Sequence, residues 1–124
     1  MSKRHKLSNL EKTQQRAWRF YDHWRKTGSK SPAFDGEMIH VSRLGWDHLL
    51  NPRKKRSKIE KIRRLKALPL AKKLIEQSTT YQEHRTDRDI SYWAFVAYLD
   101  GQKVKVVVSA RNKKKYFLSV IVMK

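Results

Sequence analysis

Residues 90–123 read ISYWAFVAYLDGQKVKVVVSARNKKKYFLSVIVM, three runs of strand-forming residues separated by two turn signals. Ile90 to Leu99 is aromatic and apolar, and Asp100-Gly101 behind it is a strong hairpin signal. In Gln102 to Ala110, Val104, Val106 and Val108 alternate with Lys103 and Lys105, so an apolar row opposes a row holding Lys103, Lys105 and Ser109. A turn through Asn112 to Lys114 leads to a last strand, Tyr116 to Met123. Upstream, Thr80 to Arg85 reads as another strand and Asp87 to Asp89 as a turn.

Helical patterns precede these strands. Residues 8–26 carry Ser8 as a cap, Glu11 as the third residue of a capping box and Gly28 as a stop. Leu10, Ala17, Trp18, Tyr21 and Trp24 fall near one face, a spacing that favours packing on the body over base stacking. His23 reads as a surface residue. Lys26 to Pro32 reads as a linker; if it is flexible, the helix is instead an arm ordered by RNA or a partner. Met38 to Val41 is a short strand candidate, with Ser42 placed to cap a helical turn through Gly45, Trp46, His48 and Leu49. A further helix spans 57–77, with Ile59, Ile62, Leu65, Leu68, Leu74 and Ile75 on its apolar stripe and Pro69 as a break or kink. Helices followed by strands make an α+β chain: N-terminal helices packed on a four-stranded antiparallel meander sheet, whose other face is left for function. The division expected is a basic N-terminal helix and linker over 1–35 and a second unit over 36–124.

The chain has 124 residues with 30 Lys plus Arg against 11 Asp plus Glu, a formal charge of +19. Self-repulsion on that scale is relieved by a polyanionic partner, and nucleic acid, RNA first, is the natural one. The cations run along the whole chain: nine against two acids in 1–30, twelve against five in 31–76, and nine against four in 77–124. The binding surface is therefore expected on the folded domain as well as the terminus. No apolar run approaches the roughly 20 residues of a spanning helix, so no membrane role is expected. The absence of cysteine excludes a disulfide framework and a thiolate metal site, and suits a cytoplasmic protein. No cofactor or metal is expected: His40 and His48 lack the spacing and carboxylate of a helical zinc pair, and no glycine-rich phosphate loop is present.

The segment order is an IHVS strand, GWDHLL with His48, RRLKALPLAKKLIEQ, YQEHR, YWAFVAYLDGQKVKVVVS and a final YFLSVIV. Over roughly residues 36–124 it resembles the phage-associated barnase, EndoU, colicin and RelE-like nuclease group. The resemblance implies a metal-independent ribonuclease fold common among phage proteins and toxins, with no invariant catalytic set. Such cleavage uses the ribose 2′-hydroxyl as nucleophile and needs a base, an acid and cations around the phosphate. His48 is the first candidate for acid or base, its imidazole kept neutral by the basic field, and the resemblance ranks this above a role as a partly buried structural histidine. His40 has weaker support. In Tyr81 to Arg85, Glu83 and Arg85 share one face and His84 the other, so Glu83 with Arg85 forms a base-and-clamp pair or an ordinary surface ion pair.

Arg85 is the preferred phosphate clamp, Arg111 the stabiliser of transition-state charge and Ser109 its orienting hydroxyl. Ser119 is read as a site residue rather than a bonded core hydroxyl. Arg53, Lys54, Lys55, Arg56, Lys58, Arg63, Arg64, Lys103, Lys105, Lys113, Lys114 and Lys115 are the candidate RNA-binding cations. Tyr98 is a candidate base-stacking ring, while Trp93 and Phe95 are assigned to the core. Two other functions fit the charge: a basic RNA- or DNA-binding protein without catalysis, and a catalytically dead nuclease fold acting as a host-directed inhibitor. An acidic protein inhibitor would complement the surface.

Overall fold

The computed structural model describes residues 8–51 and 55–123. Four helices, α1 (Asn9–Thr27), α2 (Arg43–Leu50), α3 (Lys58–Lys66) and α4 (Leu68–Gln77), accompany six strands: β1 (Ser29–Ser31), β2 (Glu37–His40), β3 (Glu83–Asp87), β4 (Ile90–Leu99), β5 (Gln102–Arg111) and β6 (Lys114–Met123). The α+β class is as expected, but the sheet has six strands in the order β1-β2-β6-β5-β4-β3 and is mixed, since β2 runs parallel to β6. The four-stranded antiparallel meander is correct for β3 to β6 alone. Two-residue turns join those strands, and Asp100, Gly101, Asn112 and Lys113 all have positive φ, as tight turns between twisted strands require. No local turn joins β2 to β6; the pairing closes through the helices between them, so nothing in the local sequence announces it.

Local signals explain most boundaries. Ser8 and Glu11 form the reciprocal capping box of α1, and the Gly28 amide closes the helix on Trp24 O. Ser57 caps α3, and Pro69 lies in the first turn of α4, so the single stripe over 57–77 is two helices meeting at Ala67. Ser42 holds the N-cap position of α2, yet its carbonyl rather than its hydroxyl is engaged, as acceptor for the Tyr21 phenol. The span read as a linker contains β1, paired with β2 from Ser29↔Ile39 to Ser31↔Glu37. β3 starts at Glu83 and reaches Asp87, later than the sequence pattern places it, because the turn to β4 needs only Arg88 and Asp89.

The helices cover one sheet face. Tyr21 and Trp24 of α1 are fully buried, with Trp24 and Phe117 ring centres 5.0 Å apart, and they join Leu49, Leu65, Leu68, Ile75, Phe95, Val104, Val106 and Val108 in a single core. Burying an aromatic ring stabilises by roughly 1.5–3 kcal/mol. The N-terminal helix is thus packed on the body. Gly45 lets α2 approach: a Cβ there would lie 2.6 Å from the Tyr21 hydroxyl and 2.8 Å from Phe117 O. The pairing shifts between Val107 and Val108, which face Ser119 and Phe117 and leave Leu118 as the extra residue of a bulge.

Candidate nucleic-acid interface

Strand alternation turns the residues between the core positions toward the uncovered sheet face. Register then lines five of them up in one file across five strands: Arg85↔Tyr92, Tyr92↔Ser109, Ser109↔Tyr116 and Tyr116↔His40. Neighbouring strands lie about 4.8 Å apart, so the file spans roughly 19 Å. Its two ends are held by ring contacts. The Arg85 guanidinium stands 4.4 Å from the Tyr92 ring centre, and the His40 and Tyr116 rings are 5.6 Å apart at 42°. The next cross-strand pair on this face of the hairpin is Arg111↔Lys114.

A groove of about 540 Å³ occupies the middle of this file, lined by Tyr92, Ser109 and Tyr116, by Arg111, Asn112 and Lys114 from the β5–β6 end, and by Ile90, Leu118, Ser42 and Leu44. A second groove of about 440 Å³ shares Tyr92 and adds Glu83, Arg85, Lys105 and Val107. Arg85, Arg111 and Lys114 form no ion pair with any described carboxylate. Cations without counter-charges beside a phenol and a hydroxyl suit a phosphate diester, and rings set two strands apart on either side of Ser109 suit the unpaired bases that flank it. Tyr98, 75 % exposed and opposite Lys103, offers another ring on the same face.

Other candidate cations are already committed. Lys115 points to the helical side, its ammonium 2.8 Å from Glu37 and over the rings of Phe34 and Trp93 at 4.8 and 5.0 Å. Lys105 pairs with Glu83 at 3.0 Å, which occupies the carboxylate read as a possible base. As the alternation demands, His84 lies on the opposite side from Glu83 and Arg85, stacked 4.9 Å from Trp93. Arg63 pairs with Glu60 at 3.5 Å. Lys55, Lys58 and Lys113 are exposed, while Arg53 and Lys54 lie outside the described residues.

His48 belongs to a different neighbourhood. It is half-buried on α2, and burial first, then the charges of Arg56 and Arg64, hold its imidazole below the ordinary 6.5. The direction is the one a basic field imposes, with burial as the larger cause. Arg56 donates to the carbonyls of His48 and Leu49 at the C-terminal end of α2. Arg64 donates to Ser119 Oγ at 3.1 Å and to Glu60 at 3.3 Å. Ser119 is 3 % exposed and serves as an acceptor for α3, so it is absent from the groove lining. The candidate set thus divides: Ser109 and Arg111 line the groove with Arg85 at the end of its file, while His48 and Ser119 flank Arg64 at the α2–α3–β6 junction.

Tyr92 and Tyr116 were not singled out by the sequence, and His40 was ranked below His48. Two-residue turns at 88–89, 100–101 and 112–113 would have given the first two, because each turn fixes the register of its hairpin. His40 needed the β2–β6 pairing. Among the described residues no three His, Asp or Glu side chains cluster as a metal-binding set, and no helix is long and apolar enough to cross a membrane.

The fold defines an α+β protein with a helical layer on one face of a mixed sheet and a basic, tyrosine-lined groove on the other. No protein family, curated protein or solved structure matches the chain.

Proposed function

We propose that the protein binds single-stranded RNA across the open sheet face and cleaves it without a metal, by attack of a ribose 2′-hydroxyl on the adjacent phosphate. The observation that carries this reading is the file Arg85, Tyr92, Ser109, Tyr116, His40, with Arg111 and Lys114 beside its middle. The scissile phosphate would sit over Ser109, its developing charge met by Arg111 and Lys114 and its flanking bases stacked on the two tyrosines. His40, at the Tyr116 side, takes the 2′-hydroxyl proton as the 2′-oxygen–phosphorus bond forms. The phosphorus–5′-oxygen bond breaks on the other side, where the Tyr92 phenol beside Arg85 gives the leaving oxygen its proton. The products are a 2′,3′-cyclic phosphate and a free 5′-hydroxyl. This moves the proton-carrying role from His48 to His40.

Binding without cleavage is the second reading. It is favoured by the roughly 19 Å between the ends of the file, which leaves His40 well away from Arg85. Mixed single-stranded RNA incubated in excess EDTA separates the two. The ribonuclease reading expects cyclic-phosphate products, a loss of about 10²–10⁴-fold in His40→Ala, and little change in His48→Ala. Tight, salt-sensitive binding with intact RNA selects the binding-only reading. Cleavage that survives in His40→Ala and disappears in His48→Ala would return the role to His48.

A further inference from the structure

The outer surface of the helical layer carries cations that neither the core nor the sheet groove uses. Lys12, Arg16 and Arg19 stand at i, i+4 and i+7 on α1, all exposed, on the side away from buried Ala17, Tyr21 and Trp24. Along the axis they cover about 10 Å. Lys66 of α3 meets Arg16 across a shallow groove of about 180 Å³ between α1 and α3, and exposed Lys73 continues the surface on α4. None of the five forms an ion pair with a described carboxylate. The acids along these helices have partners of their own: Glu11 accepts from the Ser8 amide, Asp22 pairs with Arg25 and Lys26, Glu60 with Arg63 and Arg64, and Glu76 with Lys72.

The two faces differ in one respect that bears on the ligand. The sheet face carries an exposed ring, Tyr98, beside half-buried Tyr92 and Tyr116, whereas no Phe, Trp or Tyr ring of α1 is exposed: Trp18 packs on Trp46 at 5.0 Å, and Phe20, half-buried in the wall of the shallow groove, lies 6.1 Å from Trp24. Single strands are held by cations together with stacking rings; a double helix keeps its bases stacked inside and offers its backbone. We infer that the Lys12–Arg16–Arg19 stripe, with Lys66 and Lys73, is a second nucleic-acid surface that holds the phosphate backbone of a double helix. This rests on the reading of the chain as an RNA-handling protein, and specifies its substrate as RNA with a stem beside a single-stranded segment.

The test is fluorescence anisotropy with a blunt duplex of 2′-O-methyl RNA, which lacks the nucleophile, and separately with a single-stranded 2′-O-methyl oligomer, each across a salt series. The wild-type chain should bind the duplex with a steep salt dependence. The variant Lys12→Gln/Arg16→Gln/Arg19→Gln, confirmed as folded by circular dichroism, should bind the duplex at least tenfold more weakly and lose about 2.7 from the slope of log K against log salt. It should bind the single strand as wild type, while Arg111→Gln should show the converse. A triple variant that keeps wild-type duplex affinity overturns the inference. So does equal weakening on both probes. No cleavage enters the measurement, so a failure of the ribonuclease reading is seen separately.

Discussion

The Arg85 guanidinium carbon lies 4.4 Å from the centre of the Tyr92 ring, one strand in from the edge of the sheet. β3 is exposed along its whole length, so little but this contact orients the side chain. A cation on an exposed ring contributes about 0.5–1 kcal/mol, which makes Arg85 a minor contributor to stability and leaves its charge available to a phosphate. Arg85→Ala should therefore shift the urea midpoint only slightly while weakening single-stranded RNA binding by about tenfold, the cost of one charge-assisted contact. Lysine keeps the charge but loses the planar stacking, so Arg85→Lys should fall between them. Unchanged affinity in Arg85→Ala would remove it from the binding surface.

The hairpins were legible because turn chemistry is local. Asp100-Gly101 forces positive φ at two adjacent positions, and everything from Tyr92 to Ser109 follows by counting outward. The capping box at Ser8 and the break at Pro69 were legible for the same reason. What depends on contacts between distant segments was not. The β2–β6 pairing that brings His40 to Tyr116 has no turn to announce it. The destination of Ser119 was decided by Arg64, reaching from α3 to a bulge that alternation alone does not reveal. His48 drew attention through its basic neighbours in sequence, yet the structure sets it near Arg56 and Arg64 and not among the residues that line the groove.

Gly45 is fixed by the approach of α2 to Tyr21 and Phe117. A methyl group at position 45 would meet the Tyr21 hydroxyl at 2.6 Å and the Phe117 carbonyl at 2.8 Å, and the backbone carbonyl cannot swing away. Gly45→Ala should destabilise by about 1–3 kcal/mol, as overpacking does, despite the better helix propensity of alanine. Tyr21→Phe tests the same junction from the other side. It deletes the donor to Ser42 O and should cost about 1 kcal/mol. Equilibrium unfolding in urea measures both, and a stabilised Gly45→Ala would contradict this packing of α2.

His48 supplies a pH prediction. Its folded value is held below 6.5 by burial and by Arg56 and Arg64, so the unfolded chain takes up the proton first as the pH falls. Stability is therefore unaffected above 6.5 and declines as the pH drops from there toward the lower folded value. An NMR titration should place the His48 midpoint below 6.5, and Arg64→Gln should move it upward by removing one positive neighbour. A midpoint at or above 6.5 in the wild type would contradict the burial of the ring against these cations.

Trp24, Ser29 and Glu76 tie three elements together. The Trp24 indole donates to Ser29 Oγ at 2.8 Å, and the Ser29 hydroxyl donates onward to Glu76 Oε2 at 2.7 Å, linking α1 through β1 to α4. Burial opposes ionisation of Glu76, but the hydrogen bonds from Lys72 and Ser29 and the Lys72 charge outweigh it and hold the carboxyl below the ordinary 4.5. The contribution of the carboxylate is thus complete above about 4.5 and is lost as the pH falls through the lower folded value. Ser29→Ala leaves a fully buried indole N–H without its acceptor, which costs about 1–3 kcal/mol at neutral pH. It also removes one donor from Glu76, so the variant should lose less stability than the wild type on acidification below 4.5. Urea unfolding at neutral pH and along an acid series reads both effects. A Ser29→Ala chain with wild-type stability would show that the indole has another acceptor, and one with an undiminished acid loss would show that Lys72 alone sets the Glu76 carboxyl.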